Sequence, residues 1–90
     1  MVELTETLKA RGGTHGNFSD NARIAQAIKE IMRESPNWYA FPDWLKEGLD
    51  LIALKQARIL SGDWQHEDNY HDGAGYFKLL EDRVQDYKKP

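Results

Sequence analysis

Between Ile24 and Met32 the apolar residues fall at Ile24, Ala27, Ile28, Ile31 and Met32, with charges on the opposite side. That 3.6-residue rhythm builds an amphipathic helix. No segment alternates at period two, as a half-buried strand would. The expected fold class is therefore all-α. Punctuation divides the chain. Ser19 or Asp20 is suited to cap the start of this helix. Pro36 ends it, because the residue before a proline avoids the helical region. Pro42 fits the first position of the next helix, with Asp43 favourable to its dipole. That helix runs to about Ser61, with Gly62 just past its end. The last helix spans about Asp68 to Tyr87, and the Asp68 carboxylate is suited to cap free amides. Residues 4–10 are expected to form a short helix stopped by Gly12 and Gly13. One domain, residues 1–90, is expected: a compact bundle of about three long helices plus a short N-terminal one.

Composition narrows the function classes. The net charge of −3 provides no general basic field, so general nucleic-acid binding is not expected. The absence of cysteine rules out disulfides and thiolate metal sites and suits the cytosol. No run approaches the roughly 18 apolar residues of a membrane span, and the N-terminus lacks a signal-peptide core. A cytoplasmic protein without a membrane partner is expected.

The last two helices are apolar on more than one side. Leu45, Leu49, Ile52, Ile59 and Leu60 share one stripe, while Leu54 and Ala57 lie opposite, beside Asp50. Further on, Tyr70, Ala74, Phe77, Leu80 and Val84 form a main stripe, and Asp68, Asp72, Gly75 and Leu79 a second line. A helix apolar on two sides is central in its domain or shared with another subunit. A homo-oligomer is expected, with Leu54 and Leu79 at its contact.

The stretch "SGDWQHEDNYHDGAGY" gathers polar chemistry. His66 and His71 are five apart and span a helix start, so the paired-histidine pattern of zinc helices is absent. A helix stop, a polar loop and a helix start explain much of it. Asp68 and Asp72, four apart on one face, repel unless a cation lies between them. Lys55 and Arg58 are the candidates. Lys55 sits only about 60° from the middle of an apolar stripe. It is either a structural ion-pair member or a phosphate or carboxylate contact in a cleft. Glu47 and Asp50 form an ExxD pair, the weak candidates for Mg²⁺, without the matching EExxE. The loop "RGGTHGNFSD" feeds a helix start, where free amides, Thr14, His15 and Ser19 can cradle an anion. Its spacing is not a Walker loop, and a plain connector is the alternative. Trp38, Tyr39, Phe41 and Trp44 are either exposed anchors for a protein partner or a cap on one end of a small core.

The segments "RGGTHGNFSDNARIAQAIK", "LDLIALKQARILSGD" and "HDGAGYFKLLE" resemble a family of short proteins encoded in tailed phages and prophages. Its most specific pieces are the THGxF loop, KxxRILxGD and HDxAGY. The resemblance implies a helical organisation distantly similar to all-α nucleotide pyrophosphohydrolases of the MazG type. It marks Thr14, His15, Gly16, Phe18, Asp50, Lys55, Arg58, Asp63, His66, Asp72 and Tyr76. Gly73 stands where the family carries a bulkier apolar residue. Residues and resemblance together lead to an accessory protein, anti-defence in kind, that binds or sequesters a nucleotide-like phosphorylated ligand. Its expected contacts are Thr14, His15, Gly16, Lys55, Arg58, Asp72 and Tyr76, with no cofactor. The alternatives are an inhibitor that binds a host protein, and a Mg²⁺-dependent pyrophosphohydrolase using Glu47 and Asp50.

Overall fold

A computed structural model describes residues 16–88, and the expected helix over residues 4–10 lies outside them. Three helices carry the fold: α1, Phe18–Glu34; α2, Asp43–Ser61; and α3, Glu67–Lys88. A 3-10 turn, Trp38–Ala40, separates the first two. No strand occurs among the described residues. None of their helices is long and apolar enough to cross a membrane.

The helix starts differ in detail from the sequence expectation. Asn17, not Ser19 or Asp20, caps α1, its side-chain oxygen accepting from the N–H groups of Ser19 at 2.8 Å and Asp20 at 3.3 Å. Asn17 holds the extended backbone that a cap needs, whereas the two later residues are already helical. Pro42 is likewise the extended residue before α2, which begins at Asp43. At the start of α3, Asp68 lies one residue inside the helix, with its carboxylate 3.4 Å from His66 Nε2.

α1 and α3 both pack along α2, and they share no comparable interface with each other. The all-helical bundle is therefore open, with α2 in the middle. Gly48 and Lys55 face α3, where they meet Leu80 and Asp72. These contacts rise along α2 as they descend along α3, so the two helices run antiparallel. Asp50 faces α1 and accepts both oxygens' worth of bonding from Arg33 Nη2, at 3.0 and 3.1 Å. Ala53 and Ala57, fully buried, share the side of Asp50 by their spacing. The buried apolar set is small: Ala25, Trp38, Ile52, Ala53, Ala57 and Leu80.

Trp38 is one of these core residues, so it is not an exposed anchor. The Arg33 guanidinium lies over its ring, 4.7 Å from the centroid, and Phe41 meets it edge-on at 6.2 Å. Tyr39 is the exposed member of this aromatic group, while Phe41 and Trp44 are half-buried.

The apolar stripes and the packed faces do not coincide. On α3 the line against α2 is Asn69, Asp72, Tyr76 and Leu80, while Tyr70, Ala74 and Phe77 are exposed. On α1, Ile31 is exposed and Ala25 buried, and on α2 Leu60 is exposed. The physical reason lies in the locks between helices. A lysine that bonds across the seam and a glycine that admits Leu80 set each helix's rotation, even where this leaves larger apolar groups outside.

Candidate functional site

The α2–α3 seam concentrates the polar chemistry. Lys55 is buried among apolar α2 positions, and its Nζ bonds Asp72 Oδ2 at 2.8 Å. A buried ammonium requires such a counter-charge, because desolvation otherwise drives it toward the neutral form. Asp72 is half-exposed. The hydrogen bond and charge of Lys55 hold its carboxyl below the usual value of 3.8, with smaller help from His71 and Arg58. Arg58 is thus near enough for its charge to act on Asp72, without a direct ion pair between them.

Sequence reasoning missed Asn69. It lies one turn before Asp72, on the packed line of α3, and is only 2% exposed. Its amide nitrogen finds no acceptor. An unpaired buried donor costs about 1–3 kcal/mol, so such groups commonly serve a further partner. A signal was available: Asn69, Gly73, Tyr76 and Leu80 have the i, i+4, i+7, i+11 spacing of one helix face. The polar residue heading that line concealed it.

Beside the seam, His71, Asp72, Gly75, Tyr76 and Leu79 line an open groove of about 370 Å³. A Cβ placed on Gly75 meets nothing within 4 Å, which keeps its floor clear. Gly73 is equally unobstructed, so neither glycine is there for close packing. Gly48 is: its Cβ position would lie 2.6 Å from Leu80 Cδ2.

Of the expected contacts, Lys55, Arg58, Asp72 and Tyr76 are brought together here. Gly16 arrives at the C-terminal end of α2. Its φ of 86° favours glycine, and a side chain there would strike the Ser61 backbone. Ser61 lies one turn beyond Arg58, so Gly16 sits at the same end of the seam. Thr14 and His15 lie outside the described residues. Glu47 and Asp50 are set apart from this cluster. Glu47 is exposed, and Arg33 occupies Asp50. Among the described residues no group of three or more His, Asp or Glu side chains is placed to hold a metal.

No protein-family model, curated protein or solved structure matches the chain. What the geometry defines is a class: an open helical bundle with a buried lysine–aspartate pair in its seam beside a small groove.

Proposed function

We propose that this protein binds a small phosphorylated, nucleotide-like ligand at the α2–α3 seam. The observation that carries the reading is the buried Lys55 bonded to Asp72, with the unsatisfied amide of Asn69 one helical turn from Asp72 on the same helix. A phosphate offers several acceptor oxygens and full negative charge, which suits both donors and the nearby Arg58. Tyr76 and the open floor at Gly75 suit the flat apolar part of such a ligand. Asp72 is then the internal anion that a ligand oxygen replaces on Lys55. Together with the resemblance to phage proteins, the reading is of an accessory protein that sequesters a host nucleotide. Magnesium-assisted hydrolysis through Glu47 and Asp50 is less favoured, because Arg33 already holds Asp50. Capture of a host protein loses Trp38, which is buried, and rests on exposed Tyr39 with half-buried Phe41 and Trp44.

Native mass spectrometry of freshly purified protein, followed by calorimetric titration with a panel of nucleotides and pyrophosphate, tests the proposal. A charge-assisted hydrogen bond contributes roughly 1.5–3 kcal/mol. Arg58→Ala is therefore expected to weaken binding at least about tenfold, and Arg58→Lys to recover part of it. Lower melting temperatures for Lys55→Ala and Arg58→Ala, with affinity unchanged, would assign these residues to stability and end the phosphate reading.

A further inference from the structure

We propose that the α2–α3 face opposite the groove is the contact between two copies of this chain, related by a two-fold axis near Phe77. On α3, Tyr70, Phe77 and Val84 recur every seven residues along one flank of the packed line. They are 50%, 56% and 38% exposed. At about 100° per residue, Leu49 and Leu60 on α2 point to the side away from Arg58 and Leu54. Because α2 and α3 run antiparallel, these leucines share a face with Tyr70, Phe77 and Val84. Leu60 is 67% exposed. Arg58, Asp72 and Leu79 point to the other face. The apolar strip thus crosses two helices and is not the chance exposure of single residues.

The strip is complementary to itself. An antiparallel crossing of two α3 helices at Phe77 sets Tyr70 of one copy across from Val84 of the other. The same crossing brings Glu67, in the first turn, toward Lys88, in the last turn, of the second copy. Both charges lack an ion pair within the described chain. Two equivalent Glu–Lys pairs therefore close the ends of the interface, as a two-fold axis requires. The helix, at about 33 Å for 22 residues, is long enough to carry these contacts. Taking roughly 200 Å² for an aromatic side chain, the exposed apolar part is on the order of 400 Å² per copy. The polar flanks bring this toward the lower end of specific interfaces, so a micromolar dimer is expected.

Sedimentation and a cross-link test it on the full chain. Wild-type protein is expected to convert from monomer to dimer across micromolar concentrations. Phe77→Glu is expected to remain helical and monomeric, since the residue is half-exposed and its loss leaves the packed line intact. The chain has no cysteine, so Phe77→Cys introduces a single thiol. Near the axis it meets its own copy, and with diamide as oxidant a disulfide dimer forms. Asp82→Cys, on the far side of α3, does not cross-link. Glu67→Lys weakens the dimer, and adding Lys88→Glu restores it. Three outcomes overturn the proposal: a wild-type monomer up to the solubility limit, a dimer indifferent to Phe77→Glu, or no rescue by the double charge reversal. Indifference to Phe77→Glu combined with sensitivity at Leu54 or Leu79 would move the contact to the groove face.

Discussion

Asn69 sets stability against function at the residue scale. Leucine keeps the same branched, four-atom side-chain outline, though bulkier, and removes a donor that has no acceptor. Asn69→Leu is therefore expected to raise stability by about 1 kcal/mol while weakening phosphate binding. Thermal unfolding beside calorimetric titration checks both, and a drop in melting temperature would show that the amide has a structural partner. Asp72 adds a pH signature. Its carboxyl is held below the ordinary value, so the folded state favours the charged form. The contribution is present above the ordinary carboxylate range and fades as pH falls through the lowered folded value. The difference in melting temperature between wild type and Asp72→Asn should be present at pH 7 and narrow as pH falls below the ordinary value of 3.8. A difference that does not narrow anywhere in acid would show that the loss arises from shape and not from charge.

Helix rotation is the issue at the element scale. Gly48 lets Leu80 enter α2, and any Cβ there presses on three Leu80 atoms at 3.0 Å or less. Gly48→Val is expected to cost about 2–3 kcal/mol by overpacking. Gly75 has open space, and alanine is a better helix former, so Gly75→Ala should stabilise by about 0.5–1 kcal/mol. Equal effects of the two changes in denaturant unfolding would show that glycine acts here through propensity alone. Asn17 fixes the start of α1, and Asn17→Ala should cost about 1 kcal/mol. Ser19→Ala and Asp20→Ala lack that role and should cost less.

The whole molecule is an open bundle with two unlike faces. One carries Arg58, Asp72, Tyr76 and Leu79 beside the groove. The other carries Leu60, Tyr70, Phe77 and Val84. Assembly through the second face leaves the first open. Phe77→Glu should accordingly abolish the dimer while changing ligand affinity by less than about twofold, roughly 0.4 kcal/mol. A matching loss of affinity would mean that the second copy completes the ligand site. Arg33 ties the parts together from α1, bonding Asp50 on α2 and covering Trp38 of the intervening turn.

The three long helices, their order and their approximate ends were legible along the chain, because period and punctuation are local physics. Pro36, Gly62 and the Ile24–Met32 rhythm act within a turn or two of themselves. The pairing of Lys55 with Asp72 was also foreseeable, since a cation among apolar positions needs an anion nearby. Which side of each helix faces its neighbour was not. Tyr70 and Phe77 form the more apolar stripe of α3, yet Asn69, Asp72, Tyr76 and Leu80 meet α2. Local periodicity reports where apolar groups lie on a helix. It carries no term for the fit of Leu80 over Gly48, the lock of Lys55 on Asp72, or the hold of Arg33 on Asp50. Those are contacts between distant residues, and they settle the rotations together once three helices share one space.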